Sequence, residues 1–98
     1  IIVADHNNHR LQVFTPDFQF IRSIPENPKP SNEKGYFNCP AAVSIFNQRF
    51  LLVVEYGNHR VQVLDAFNNC QFVCFLGRGD GKAGGKDEEF NQPLDIAI

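Results

Sequence analysis

The sequence predicts an all-β fold built from repeated four-stranded antiparallel units. The first observation is a hexapeptide, Asn-His-Arg-Leu/Val-Gln-Val, which occurs at Asn8–Val13 and again at Asn58–Val63. The second is a shorter pattern, Phe-Asn-x-Pro, which occurs at Phe37–Pro40 and again at Phe90–Pro93. No segment shows a sustained 3.6-residue period, so helix is a minor component. A repeat of this length is one supersecondary unit that needs neighbouring units to bury its apolar face.

The strands follow from hydrophobic patterning between turn signals. Ile1–Asp5 and Phe50–Glu55 are continuous apolar runs, which predicts strands buried on both faces. Arg60–Asp65 alternates polar and apolar residues, which predicts a half-buried strand. The remaining predicted strands are Arg10–Thr15, Gln19–Ile24, Ala41–Ile45, Gln71–Leu76 and Leu94–Ile98. In the turn between 55 and 60, Gly57 and Asn58 are expected to adopt the left-handed conformation of a tight reversal.

The order of these strands predicts the domain organisation. Each unit has four strands, named a to d in chain order. Residues 1–36 contain strands b, c and d of one unit with its connector, and residues 37–89 contain a complete unit with its connector. Residues 90–98 contain strand a of a further unit. Four antiparallel strands in about 50 residues match the size of a propeller blade. About two blades' worth of strands is present, in permuted order. Because a closed ring needs about four or more blades, we expect further blades from a longer parent chain or from assembly of copies.

Composition limits the classes of partner. Nine basic and eleven acidic residues give a net charge of −2, which argues against a dominant phosphate-binding surface. Three cysteines without a Cys-x-x-Cys spacing predict free thiols, which favours an intracellular, reducing compartment. No apolar run approaches 18 residues, so no membrane partner is expected.

Asn-His-Arg before an alternating strand, a glycine-rich connector and then Phe-x-x-Pro together resemble the NHL repeat. The resemblance implies a β-propeller, commonly six-bladed. The family includes interaction domains of tripartite-motif ubiquitin ligases, some of which bind RNA. It also includes lyases and hydrolases with metal sites near the central channel. Glu55 departs from the usual Asp and Leu64 from the usual Phe. The signature residues here are Asp5, Asn8, His9, Arg10, Pro40, Glu55, Asn58, His59, Arg60 and Pro93.

These signature residues are expected to be structural because they recur once per blade. Asn sets the turn, while His and Arg satisfy backbone groups and pair with Asp5 or Glu55. His6 and His9 have a spacing that two metal ligands can share, but zinc needs three or four ligands. His6 becomes Tyr56 in the second copy. We therefore expect no catalytic residue, no metal site and no cofactor.

Two long connectors, Pro25–Tyr36 and Gly77–Glu89, are the candidate interaction surface, because binding residues concentrate on loops of rigid scaffolds. Six basic residues in or beside them form a candidate rim: Arg22, Lys29, Lys34, Arg78, Lys82 and Lys86. The sequence favours a non-catalytic scaffold that binds a partner protein. One alternative is an RNA-binding propeller of a ubiquitin-ligase-type protein, which would need a basic patch on the complete ring. The other is part of a metal-dependent propeller lyase or hydrolase, which would need ligands from several blades.

Overall fold

The computed structural model describes residues 1–98 as two antiparallel sheets. The first sheet contains β1 (Ile2–Asp5), β2 (Arg10–Phe14) and β3 (Phe20–Ile24). The second contains β4 (Pro40–Phe46), β5 (Phe50–Glu55), β6 (Arg60–Asp65) and β7 (Gln71–Gly77). Strands are neighbours in the order of the sequence in both sheets. The only helical segments are single 3₁₀ turns at His6–Asn8 and Ala66–Asn68. The all-β prediction is confirmed, and so is the predicted order of strands a, b, c and d, which are β4, β5, β6 and β7 in the second sheet.

The two copies of the repeat have the same strand register. Asp5 lies opposite Arg10 in the first sheet, and Glu55 lies opposite Arg60 in the second. The pairing of β2 with β3 shifts its register between Val13 and Phe14, and the pairing of β6 with β7 shifts at the equivalent position, after Val63. A bulge bends and twists a strand locally, so the repeated sequence specifies the same local bend twice.

The core lies between the two sheets. Leu11 and Ile24 of the first sheet pack with Leu51, Val53 and Leu64 of the second, and Phe37 of the first connector completes the cluster. All are at least 95% buried. Each sheet therefore covers one apolar face of its neighbour, which is the packing that a repeat of this kind requires.

Two expectations about burial were wrong. Strand β6 is buried on both faces, because the first connector lies across its polar face: Gly35 N–H donates to Gln62 Oε1 at 2.7 Å, and Gln62 Nε2 donates to the Tyr36 carbonyl at 2.9 Å. Strand β1 was expected to be buried on both faces, yet Val3 is 44% exposed. No segment of the chain packs on that face of β1.

The residues after Gly77 form turns and irregular structure without strand pairing. Leu94 and Ile98 are 64% and 67% exposed. The assignment of 94–98 as the first strand of a further blade stays a prediction. So do the unit boundaries at 36 and 89. No helix in the chain has the length and apolar character that crossing a membrane demands.

Candidate interaction surface and its supporting polar network

The turn between β5 and β6 is built differently from the prediction. Its left-handed residue is His59, with φ of 53°, and the equivalent His9 has φ of 55°. The expectation that Gly57 and Asn58 are left-handed was wrong. Gly57 has no room for a side chain, because a Cβ there would lie 2.5 Å from the Asn38 side chain. Histidine is among the residues enriched at positive φ, which is why the turn accepts it.

Each of these histidines binds the backbone just before the proline of the next Phe-x-x-Pro segment. Cys39 N–H donates to His9 Nδ1 at 3.0 Å, and Gln92 N–H donates to His59 Nδ1 at 2.9 Å. Cys39 is itself left-handed, with φ of 53°, and so is Gln92, with φ of 51°. The two halves of the sequence signature are therefore one structural device: the histidine of one blade positions the residue before Pro40 or Pro93.

Asn58 links the turn to the first connector. Its Nδ2 donates to Glu55 Oε1 at 2.8 Å and to the Ser31 carbonyl at 2.7 Å. The equivalent Asn8 donates only to the carboxylate of Asp5, at 3.1 and 3.2 Å. The asparagine thus acts by hydrogen bonding rather than by backbone conformation.

Arg60 and Glu55 form an ion pair whose side chains are both 0% exposed. Arg60 Nε donates to Glu55 Oε2 at 2.6 Å, and Arg60 Nη2 donates to Oε1 at 3.2 Å. The Arg60 guanidinium lies over the Phe75 ring, with Cζ 4.0 Å from the ring centre, so the aromatic ring covers the flat face of the guanidinium. No buried side-chain nitrogen or oxygen lacks a hydrogen-bond partner, so the network meets the condition under which a buried charge is tolerated.

The same guanidinium holds both connectors. Arg60 Nη1 donates to the Asn32 carbonyl of the first connector at 2.8 Å and to the Gly79 carbonyl of the second at 3.0 Å. The connectors also contact each other, since Asn32 Nδ2 donates to the Asp80 carbonyl at 3.0 Å. Arg60 therefore fixes the relative position of two loops that come from opposite sides of the blade.

The equivalent network of the first copy is partly open to solvent. Arg10 Nε donates to Asp5 Oδ2 at 2.8 Å, with side chains 33% and 23% exposed. Gln12 Nε2 donates to the same oxygen at 3.0 Å. Hydrogen bonds from Arg10 first, then from Asn8 and Gln12, hold the pKa of the Asp5 carboxyl below its ordinary value. Sequence reasoning did not assign a role to Gln12 and Gln62, although their repetition in the hexapeptide was a signal for one.

The six basic residues of the candidate rim are not all brought together. Five of the six lie in the two connectors: Lys29, Lys34, Arg78, Lys82 and Lys86. Arg22 lies at the opposite end of the blades, where it donates to Asn69 Oδ1 at 3.3 Å. The Lys34 ammonium lies over the ring of Phe72 in β7, 5.0 Å from the ring centre.

Two of the remaining cations are paired locally. Lys29 lies 4.0 Å from Glu33, and Arg78 lies 2.9 Å from Asp80. The pKa of Asp80 is lowered by the Lys82 backbone N–H first and then by Arg78. Lys82 and Lys86 form no ion pair. The rim is thus a mixed-charge surface.

The two histidines of the His-x-x-His spacing have different partners. No three His, Cys, Asp or Glu side chains lie close enough together to hold a metal ion. His6 packs against Tyr56, with ring centres 5.8 Å apart, while His9 accepts the Cys39 N–H. The three cysteines are free thiols, and burial raises the pKa of the Cys70 thiol.

Residues 37–64, which span β4 to β6, match the family model of the NHL repeat. The chain carries an NHL repeat. The NHL repeat implies a β-propeller-type domain, and the two stacked antiparallel sheets are consistent with neighbouring blades of one. A search of curated proteins finds no match to the chain. Strands β1 to β3 repeat the NHL pattern with the same register, although the matched segment is confined to the second copy.

Proposed function

We propose that the chain acts as a non-catalytic scaffold that binds a partner protein through its two connectors. NHL-repeat domains commonly mediate protein interactions, and the geometry supplies a physical reason. The observation that carries the proposal is that Arg60 holds the backbone of both connectors, through Asn32 and Gly79. A preorganised surface loses less conformational entropy on binding than mobile loops do.

The charge pattern of the rim favours protein over RNA as the partner. RNA affinity depends on cations that neutralise phosphates, but Lys29 and Arg78 already lie beside Glu33 and Asp80. Three further acidic residues, Asp87, Glu88 and Glu89, follow Lys86 directly. Mixed charge of this kind gives electrostatic complementarity and specificity in protein–protein association.

The test compares two double variants with the same change in net charge. Lys82→Gln with Lys86→Gln removes the two unpaired rim cations. Gln19→Glu with Gln71→Glu adds two negative charges at exposed positions at the other end of the blades. Proteins that are cross-linked to the purified chain in extract are quantified by mass spectrometry for the wild type and both variants. We expect the rim variant to lose a defined set of partners that the control variant retains.

Equal partner sets for the two variants would contradict a role for the rim. Direct RNA binding is measured in parallel with single-stranded RNA at rising salt concentration. A steep loss of RNA affinity with salt, matched by a loss in the rim variant, would replace the protein partner with RNA.

A further inference from the structure

A second site lies at the end of the blades opposite the connectors. A cavity of about 210 Å³ opens between the two sheets there. Its lining is mainly aliphatic: Ile24 and Leu51 are buried in its wall, and Ile45, which is 54% exposed, lies at its mouth. Arg22 and Arg49 line the same cavity, and Arg49 belongs to the turn between β4 and β5. An apolar pocket with a few polar groups is the usual composition of a small-molecule site.

The two arginines differ in their partners. Arg49 is neutralised by Asp65: Arg49 Nε donates to Oδ1 at 3.1 Å and Arg49 Nη2 to Oδ2 at 2.8 Å. Arg22 forms no ion pair, and its one side-chain hydrogen bond goes to the neutral amide oxygen of Asn69, at 3.3 Å. No carboxylate lines the cavity. One uncompensated guanidinium therefore borders an aliphatic wall.

The repeat does not require an arginine at this position. Arg22 lies opposite Val13, and in the second copy the residue opposite Val63 is Cys74. Ile24, by contrast, matches Leu76 and belongs to the apolar pattern of the blade. Arg22 is thus a feature of this one inter-blade cavity and has no part in the structural signature.

We propose that this cavity binds a short aliphatic carboxylate, a site separate from the connector rim. The guanidinium of Arg22 takes the carboxylate, which suits its fork of N–H donors, and the alkyl chain packs on Ile24, Ile45 and Leu51. The volume lies below the 300–1,000 Å³ of typical ligand pockets, so a chain of about six carbons suits it. Besides Arg22 the polar lining consists of Gln48 and of Arg49, which is already paired with Asp65. The aliphatic wall thus offers few partners to the amide groups of a peptide, which favours a free acid as the ligand.

The test is a titration of the ¹⁵N-labelled 98-residue chain with hexanoate, followed by amide chemical shifts. We expect saturable shifts centred on Ile24, Leu51 and Cys70, and at least tenfold weaker binding of 1-hexanol, which keeps the chain and lacks the charge. Arg22→Gln should weaken hexanoate binding at least tenfold and leave hexanol binding unchanged. Arg78→Gln is the matched control: it removes the same charge at the connector rim and should leave hexanoate binding unchanged.

Three results would overturn the proposal. The first is equal affinity of the wild type for hexanoate and hexanol, a comparison that stands even if Arg22→Gln does not fold. The second is an equal effect of Arg22→Gln and Arg78→Gln, or shifts located away from the cavity. The third is tighter binding of N-acetyl-leucine than of hexanoate, which would assign the site to the carboxyl terminus of a peptide instead of a free acid.

Discussion

Replacing Arg60 by Met tests whether the buried ion pair supports the blade. Methionine keeps a long aliphatic side chain against Phe75 but removes every donor of the guanidinium. The change leaves the Glu55 carboxylate buried without its cation, and it leaves the carbonyls of Asn32 and Gly79 without the donor that holds them. All other contacts of β6 remain.

The expected loss is large because both side chains of the pair are 0% exposed. Removing one partner of a buried ion pair costs about 3–5 kcal/mol, since an uncompensated charge stays behind. The carbonyls of Asn32 and Gly79 are only part-buried, so water can replace the lost donor and they add little to this cost. We therefore expect Arg60→Met to lower the free energy of unfolding by about 3–5 kcal/mol, a large fraction of the roughly 5–15 kcal/mol that a domain has in total.

The repeat provides a matched control within the same molecule. Arg10 occupies the equivalent position, pairs with Asp5 at the same register and is 33% exposed. Water can solvate both partners once the pair is broken, and exposed ion pairs contribute about 0–1 kcal/mol. Arg10→Met should therefore cost about 1 kcal/mol or less. Urea unfolding of the two variants, followed by circular dichroism at β-sheet wavelengths, measures both values.

Similar small losses for Arg10→Met and Arg60→Met would refute the reasoning, because burial would then make no difference to the pair. A double-mutant cycle sharpens the test. Adding Glu55→Gln to Arg60→Met removes the unpaired buried charge, so the double variant should be more stable than Arg60→Met alone. A double variant as unstable as the sum of the two single changes would show that Glu55 and Arg60 are not coupled.

Three further predictions concern the turns and the acid response. Gly77→Ala should lower the free energy of unfolding by about 1–3 kcal/mol, because φ of Gly77 is +97° and the new Cβ would lie 2.9 Å from the Phe90 ring. Gly85→Ala is the control: its new Cβ meets no atom within 4 Å, so it should be neutral in the same urea assay. Asn58→Ala should cost more stability than Asn8→Ala, because only Asn58 also binds the Ser31 carbonyl; equal losses would deny that contact a role. The hydrogen bonds from Arg49 hold the pKa of Asp65 below its ordinary value of 3.8. The ionised Asp65 carboxylate therefore stabilises the fold fully above pH 3.8, and this contribution is lost as the pH falls through the lowered pKa. Asp65→Asn should accordingly lose less stability than the wild type as the pH falls from about 5 to about 2, and an unchanged pH profile would contradict the Arg49 assignment.

The strand order was predictable because each strand carries its own pattern. The alternation in Arg60–Asp65 and the apolar run Phe50–Glu55 are local properties, and the repeat supplies each of them twice. The partners of the signature arginines were also predictable. An acid and an arginine on adjacent antiparallel strands, at either side of a short turn, lie opposite each other.

The burial of that pair was not predictable from the same pattern. Alternation indicates a solvated face when only the strand is considered, and it gives no information about a connector that crosses the face. The residues that cover Arg60, from Ser31 to Tyr36, lie more than 20 positions away in the sequence. Nor could the composition of the connectors show that Arg22 and Lys34 point away from the rim, because side-chain direction depends on the tertiary packing.

The way in which Arg60 holds the connectors has a consequence for how the surface can vary. Every connector group that Arg60 binds is a backbone carbonyl, as at Asn32 and Gly79. A backbone carbonyl is present whatever side chain the residue carries. The connector side chains can therefore change without loss of the contacts that Arg60 makes with the loops. Lys82 and Lys86, which form no ion pair, lie beyond the held segment, where the proposed partner would contact them. A buried arginine with backbone acceptors thus separates the stability of the blade from the chemistry of its surface, which is the property that an interaction scaffold needs.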